Sequence, residues 1–316
     1  MSKKLTKRNF LVSTAALAAA AWLPRVSPAE ARTLGMTEVA PGLFVHQGVH
    51  ATFNTQNAGD ISNLSLIIGK DAVAIVDTGG SALIGKSFLS AIRAITDKPI
   101  RYVINTHMHP DHVFGNAPFK TENPIFIAHH KMARGLAARA DRYLAANKDL
   151  LGPEAFAGTE IILPTEHVSA PREIDLGERV ITLVPRPTAH TDNDMTVFDH
   201  ATGTLILGDL LFSGHIPTID GSIVGWLAVI ETLKGEKAER AVPGHGPASM
   251  AWPEALDPLE RYLRSIAVDV RAMIKEDKTL SEATKTAGAS EKDKWLLADE
   301  FHARNVTAAF AELEWE

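Results

Sequence analysis

The chain has 316 residues, 45% of them hydrophobic and 22% charged, which is typical of a soluble globular protein with a sizeable core. It contains no cysteine, which excludes disulfide bonds, thiolate zinc sites and a cysteine nucleophile. The net charge of −6 and the lack of a basic run disfavour a nucleic acid as substrate.

The N-terminus predicts a cleavable export signal over residues 1–31. Four basic residues up to Arg8 precede the apolar run Phe10–Leu23, and Ala29–Ala31 forms an A-x-A cleavage site. Residues 6–11 resemble a twin-arginine signal with lysine at the first arginine position, and the Sec route fits as well. The apolar run is shorter than the ~20 residues of a membrane span, which disfavours a stable membrane anchor. We therefore predict a periplasmic or secreted protein.

The first half of the mature chain alternates β-rich runs with one helical pattern. After Asp77 and a glycine-rich turn, apolar residues at helical spacing from Leu83 to Ile95 predict a helix. Four runs predict strands, the second and third of them as a hairpin. These runs are residues 42–47, 63–68, 72–76 and 100–105.

The last of these strands leads into the most informative segment of the sequence, residues 107–112. The segment reads H-x-H-x-D-H and holds four potential metal ligands, a pattern expected by chance in roughly one such chain in a thousand. Because His107 and His109 lie at i and i+2, they leave an extended strand end on the same side. The alternative interpretation is a solvated polar turn with coincidental histidines.

The second half repeats the arrangement of a strand followed by a polar residue. Ligands in α/β proteins bind just beyond the carboxyl ends of strands, so these polar residues are candidate metal ligands. The simpler alternatives are a loop histidine, a helix-capping aspartate and a turn histidine. The predicted strands and their residues are 179–184 with His190, 204–207 with Asp209, and 240–242 with His245.

Helical patterns occupy the rest of the chain. Residues 130–165 hold a helical stretch and a loop rich in glycine and proline, a candidate to cover the site. From Pro253 onward, an apolar stripe predicts further helices. We therefore predict an export signal at residues 1–31, a catalytic domain at 32–252, and a C-terminal helical extension at 253–316 packed on the same domain.

The candidate ligands, from the H-x-H-x-D-H motif to His245, resemble in type and order the metal-ligand set of the metallo-β-lactamase fold. The resemblance covers nearly all of residues 36–250. The resemblance implies an α+β fold, a four-layer αββα sandwich with a dinuclear metal site at one edge. Asp77 and its turn resemble the family's first motif. Segments such as 225–227 and 302–306 are similar to exported quinoprotein relay system zinc metallohydrolases and to hydrolases of sulfur-oxidation clusters. That similarity implies a link to a periplasmic quinoprotein or sulfur-oxidation system.

The family pattern implies how the ligands divide between two metal ions. Two Zn²⁺ suit such ligands, and iron or manganese also bind imidazole and carboxylate. Two ions about 3.5–4 Å apart share a hydroxide and lower its pKa. The implied ligands are His107, His109 and His190 for one ion, Asp111, His112 and His245 for the other, and Asp209 bridging both.

Other polar residues are candidates for supporting roles. We expect Asp77 to orient a ligand imidazole or the motif loop. Asp194 is expected to stabilise the loop after His190 rather than to bind metal. Asp111 and His215 are predicted to be catalytic, with His215 lining the pocket and donating to a substrate or an oxyanion.

This set predicts a hydrolase in which a metal-bridging hydroxide attacks a carbonyl. With Asp209 as the bridge, it is similar to glyoxalase II and lactonases, which implies a small thioester or lactone substrate. β-Lactamases of this fold mostly carry cysteine or serine at that position. The alternatives are a mononuclear iron persulfide dioxygenase, a β-lactam-hydrolysing enzyme and a non-catalytic metal-binding protein. The negative charge of the mature chain favours a neutral or cationic small molecule.

Overall fold

The computed structural model describes residues 33–316, so the predicted export signal and its cleavage site lie outside the described residues. The strands form two mixed sheets. They are β1 (Thr37–Ala40), β2 (Leu43–His46), β3 (Leu64–Ile68), β4 (Val73–Val76), β5 (Ile100–Ile104), β6 (Ile125–His129), β7 (Glu166–Val168), β8 (Arg172–Asp175), β9 (Val180–Pro185), β10 (Met195–Asp199), β11 (Thr204–Phe212), β12 (Arg240–His245) and β13 (Met250–Ala251). The first seven strands form one sheet in chain order, and the second sheet has the order β13-β12-β11-β10-β9-β8.

Helices flank both sheets. They are α1 (Ala82–Ile95), α2 (Pro110–Val113), α3 (Met132–Phe156), α4 (Ile223–Lys234), α5 (Asp257–Lys275), α6 (Leu280–Thr286), α7 (Ala289–Lys292) and α8 (Ala298–Leu313), with 3₁₀ segments at Phe114–Glu122 and Glu254–Leu256. Helix α3 is kinked at Gly152, where φ is 76°. Within residues 33–316, no helix is both long enough and apolar enough to cross a membrane.

Three hydrophobic clusters define four layers. Between the sheets, Ile67 and Ile104 of the first sheet pack with Leu183 and Ile206 of the second. Helices α1 and α3 cover the other face of the first sheet, and α4, α5 and α8 cover that of the second. The predicted α+β, αββα architecture is therefore confirmed. Helices α5 and α8 share one core with α4, although the predicted domain boundary at residue 252 stays a prediction.

Local prediction succeeded where the pattern was strong. Strands β3 and β4 pair antiparallel, as predicted for the hairpin. The predicted helix is α1, which begins after Ser81 because the Ser81 side chain accepts a hydrogen bond from the Ile84 amide.

Two strand predictions were wrong in extent. The opening strand predicted at residues 42–47 is present as β2, but the preceding strand β1, which pairs with it as a hairpin, was missed. Strand β11 does not end at Leu207 but continues to Phe212, so Asp209 lies inside it. Gly208 adopts a φ of +53° and shifts the register against β12, and the apolar run after Asp209 stays buried. His245 is likewise the last residue of β12 rather than a residue beyond it.

Candidate metal centre

The two sheets bring the seven predicted ligands into two adjacent groups. His107 and His109 follow β5, and α2 then carries Asp111 and His112. In each group, one ligand atom from every residue lies within 4.8 Å of the others. The groups are His107, His109, His190 and Asp209, and Asp111, His112 and His245.

Asp209 lies between the groups and faces both of them. Its Oδ2 is 3.4 Å from His190 Nε2 and 3.7 Å from His107 Nε2. Its Oδ1 is 3.1 Å from His112 Nε2 and 3.4 Å from His245 Nε2. Asp209 Oδ2 therefore faces the three-histidine group, and Asp209 Oδ1 faces the second group.

Asp111 and His109 complete the two groups. Asp111 Oδ2 lies 3.2 Å from His245 Nε2 and 3.4 Å from His112 Nε2. His109 Nδ1 lies 3.0 Å from His190 Nε2. His109 thus presents Nδ1 to the centre, whereas the other four imidazoles present Nε2.

The opposite nitrogen of each ligand imidazole has its own partner. Asp77 Oδ2 lies 2.8 Å from His112 Nδ1, and Asp220 Oδ2 lies 3.1 Å from His109 Nε2. Such partners set the tautomer and the orientation of a ligand ring. The remaining contacts are His190 Nδ1 to Thr218 O at 2.7 Å, His245 Nδ1 to Ile61 O at 2.7 Å, and His107 Nδ1 to Thr106 Oγ1 at 3.1 Å.

The inward-facing atoms fit a cation. His107 Nε2, His112 Nε2 and Asp209 Oδ1 are buried and make no hydrogen bond within the described chain. A buried polar atom without a partner costs about 1–3 kcal/mol, so three of them in one place favour binding of a common ligand. Imidazole nitrogen and carboxylate oxygen are the donors that Zn²⁺ prefers when thiolates are absent.

Burial and mutual charge set the protonation of these groups. Burial lowers the pKa of His190 to about 3, and burial together with the adjacent His112 lowers that of His107 well below its usual value. Burial opposes ionisation of Asp209, yet His245 and His112 hold its pKa well below its usual value. Burial also opposes protonation of His245, but Asp209 and Asp111 together outweigh it and raise the pKa of His245 to about 9. Metal binding would therefore release protons from the second group.

The loop around His245 approaches Asp209 so closely that it needs glycine. A Cβ on Gly244 would lie 2.0 Å from Asp209 Oδ1. Asn63 holds this loop, since its side-chain amide donates to Pro243 O at 2.9 Å and its backbone amide donates to Gly244 O at 2.7 Å. The absence of a side chain at Gly244 thus allows β11 and β12 to share one centre.

The C-terminal helix α8 supports the centre through Asn305. This buried side chain accepts from Ile219 N at 3.0 Å and donates to Pro217 O at 2.7 Å. The loop that it holds carries Thr218 and Asp220, the partners of two ligand imidazoles. The helical extension is therefore part of the support of the site.

The structure places Asp194 and His215 near the centre in different ways. Asp194 accepts from Thr191 N at 2.9 Å and from Thr191 Oγ1 at 2.7 Å, and burial raises its pKa to about 8. The His215 ring lies 4.7 Å from the His245 ring, and His215 Nδ1 donates to Ile216 O at 2.9 Å. Burial and His245 lower the pKa of His215 to about 3. Nε2 is therefore left as an acceptor, which disfavours the donor role predicted for His215.

Sequence reasoning missed the partners supplied by distant segments. Asp220 and Asn305 belong to no recognisable motif, and Thr218 contributes only its carbonyl. Any residue can supply a main-chain carbonyl, so such a partner cannot be recognised from the amino-acid type. Asp220 was detectable only as an acidic residue between β11 and α4.

Comparison with known proteins identifies the family. The sequence profile of the metallo-beta-lactamase superfamily matches residues 58–245. The chain belongs to this superfamily. Members of the superfamily are typically metal-dependent hydrolases, and the two ligand groups of this protein suit that chemistry.

Two relatives share part of the sequence. A beta-lactamase-like protein 2 homolog of Caenorhabditis elegans is 22% identical over 281 residues, which cover 87% of this chain and 81% of that protein. A linear primary-alkylsulfatase of Pseudomonas sp. (strain ATCC 19151) is 38% identical over 60 residues, or 19% of this chain. The matched segment spans only 11% of the alkylsulfatase.

Solved structures share the metallo-β-lactamase fold. A metallo-beta-lactamase from Pontibacter korlensis superposes with a TM-score of 0.59 at 17% identity, over 73% of this chain and 99% of that one. TMB-1 superposes with a TM-score of 0.57 at 17% identity, over 74% and 98% of the two chains. At this identity, the likeness concerns the fold alone.

Proposed function

We propose that this superfamily member is an exported dinuclear metal-dependent hydrolase that cleaves a small thioester or lactone at its carbonyl. The position of Asp209 is the observation that supports this proposal most strongly. Its two oxygens face different ligand groups, an arrangement in which one carboxylate could bind both ions.

The donor set matches two Zn²⁺ ions. His107, His109 and His190 would hold one ion, and Asp111 and His112 would belong to the other together with His245. When bound, two such ions lower the pKa of water and polarise a carbonyl oxygen.

The chain itself supplies alignment and charge for the reaction. Asp209 provides the negative charge between the two groups and sets their spacing. Asp111 is the more accessible carboxylate, with 14% of its side chain exposed, so the reacting carbonyl would approach on its side. His215 offers an acceptor beside His245. No serine or cysteine nucleophile is required.

Export and a periplasmic partner belong to the same proposal. Residues 1–31 have the composition of an export signal. The link to a quinoprotein or sulfur-oxidation system rests on the sequence similarity described above.

The relatives' names suggest competing substrates. The structure from Pontibacter korlensis is a metallo-beta-lactamase by name, and the relative matched over 60 residues is an alkylsulfatase. Aspartate in the bridging position favours thioesters and lactones by resemblance. β-Lactams and primary alkyl sulfates therefore serve as comparison substrates.

The test combines metal analysis with a substrate panel. Protein purified without added metal is expected to contain two zinc ions per chain and to turn over a thioester or a lactone faster than a β-lactam or an alkyl sulfate. Asp111→Ala should abolish turnover while circular dichroism stays unchanged. Asp141→Ala, at an exposed position on α3, is the matched control. One iron per chain with oxygen uptake on a persulfide would contradict the proposal.

A further inference from the structure

Two arginines from distant segments meet beside the metal centre. Arg139 of α3 lies 3.5 Å from Asp220 Oδ2, and Arg304 of α8 lies 3.9 Å from Asp220 Oδ1. The same Asp220 contacts the ligand His109 at 3.1 Å. The arginines therefore flank the three-histidine group, only one carboxylate away from a ligand.

Solvent reaches the centre on this side. The side chains of His109 and Asp111 are 13% and 14% exposed, whereas the other ligands are almost fully buried. Arg139 and Arg304 are 37% and 58% exposed. The exposed edge of His109 therefore lies next to these guanidinium groups, with Asp220 between them.

Asp220 does not saturate the two arginines. Their contacts of 3.5 and 3.9 Å exceed the usual hydrogen-bond range. Each guanidinium has five N–H donors, and within the described residues only Arg139 Nη1 has another partner, Met108 Sδ at 2.9 Å. Arg179, by contrast, is buried and donates to both oxygens of Asp199 at 3.0 and 2.6 Å. Two guanidinium groups that share one loosely bound carboxylate have donors left for a further acceptor at the rim.

Tyr143 follows Arg139 by about one turn of α3. Burial raises the pKa of Tyr143 to about 12, and the charges of Arg139, Asp220, Asp111 and Arg304 act on its hydroxyl. The Tyr143 hydroxyl is therefore protonated at neutral pH.

We propose that Arg139 and Arg304 bind a carboxylate of the substrate, so that the enzyme prefers thioesters, esters or lactones carrying a carboxylate near the reacting carbonyl. This inference rests on the proposed hydrolytic function. Planar guanidinium groups with free donors match a carboxylate in a bidentate manner. These two guanidinium groups reverse the preference for neutral or cationic substrates that the overall charge suggested.

The kinetic test compares two matched esters on the zinc-loaded protein. 4-Nitrophenyl hemiglutarate is anionic, and its methyl ester is neutral. Arg139→Met and Arg304→Met should each lower the preference for the anionic ester about tenfold, mainly by raising its KM, because a charge-assisted hydrogen bond is lost. Arg134→Met is the control, since Arg134 is exposed on α3 about 140° around the helix from Arg139. Equal effects on both esters, or none, would overturn the inference.

A binding test separates this inference from the proposed function. Calorimetry with valerate and with the isosteric amide valeramide needs no turnover. Valerate should bind about tenfold more weakly to Arg139→Met and Arg304→Met than to Arg134→Met, with valeramide affected less. Failed hydrolysis with arginine-dependent valerate binding would refute only the hydrolase proposal. Hydrolysis with valerate binding unchanged in both variants would refute only the carboxylate site.

Discussion

Asp77 and His112 are 35 residues apart in the sequence but are joined by a hydrogen bond of 2.8 Å between Asp77 Oδ2 and His112 Nδ1. The other oxygen of Asp77 accepts from Thr106 N at 2.8 Å. This arrangement holds the His112 ring with Nε2 directed at Asp209, and it connects the end of β4 to the motif after β5. The contact leads directly to a prediction about metal affinity.

Asp77→Asn should weaken binding of the second metal ion about 10- to 100-fold, because it removes the charge that orients His112. The first ion, held by the three-histidine group, should be affected less. Chelator competition with zinc measures both affinities. Asp149→Asn, at an exposed position on α3, should leave both unchanged, and a uniform loss at both sites would argue against the predicted role of Asp77.

Metal removal should lower the melting temperature of the protein. The buried atoms His107 Nε2, His112 Nε2 and Asp209 Oδ1 lose their common ligand on removal. Zinc at 100 times its dissociation constant would add about 2.7 kcal/mol to the free energy of unfolding. Thermal unfolding with and without EDTA measures this difference, which Asp209→Ala should reduce sharply. A melting temperature that does not respond to the chelator would count against the site.

Stability should also depend on pH through His46 and Asp60. His46 Nδ1 lies 3.0 Å from Gly35 O, and Nε2 lies 2.7 Å from Asp60 Oδ1, so the protonated ring satisfies both acceptors. Burial lowers the pKa of His46, but the hydrogen bond and the charge of Asp60, together with the Gly35 carbonyl, outweigh burial, and the net shift is upward from 6.5. The folded state therefore holds the proton more tightly than the unfolded state.

This contribution is fully present below pH 6.5 and is lost as the pH rises through the higher folded value. Denaturant unfolding should show a stability that declines above pH 6.5, with a slope of at most about 1.4 kcal/mol per pH unit from this residue. His46→Gln should remove that slope, while the control His167→Gln, at an exposed position on β7, should keep it. Identical pH profiles for the wild type and His46→Gln would refute the prediction.

Asn305→Ala should destabilise the fold by roughly 2–4 kcal/mol, because Pro217 O and Ile219 N lose a buried partner. It should also weaken zinc binding, since the loop between them positions two ligand imidazoles. Urea unfolding and zinc competition measure the two effects. Thr307→Ala, at an exposed position on the same helix, is the control. Unchanged zinc affinity in a destabilised Asn305→Ala protein would show that α8 stabilises the fold without positioning the metal ligands.

Much of the secondary structure could be predicted from the sequence, because the patterns that indicate it span only a few residues. The hairpin of β3 and β4 and the capped helix α1 follow from apolar periodicity and turn residues within a few positions. The end of β11 was missed because Asp209 interrupts an apolar run that stays buried on both sides of it. An ionised residue is stable inside a buried strand only when residues from other segments compensate its charge, and those residues cannot be identified from the strand itself.

The donor types and their order, from the H-x-H-x-D-H motif to His245, follow from the amino-acid sequence, because a ligand atom belongs to a side chain of a given type. Which of these atoms meet depends on the tertiary structure. It turned His109 toward the centre through Nδ1 and directed the two oxygens of Asp209 to different groups. It also brought Arg139 and Arg304, 165 residues apart, to one carboxylate. Such contacts depend on how the two sheets and their helices pack. A local sequence pattern does not encode contacts between residues so far apart in the chain.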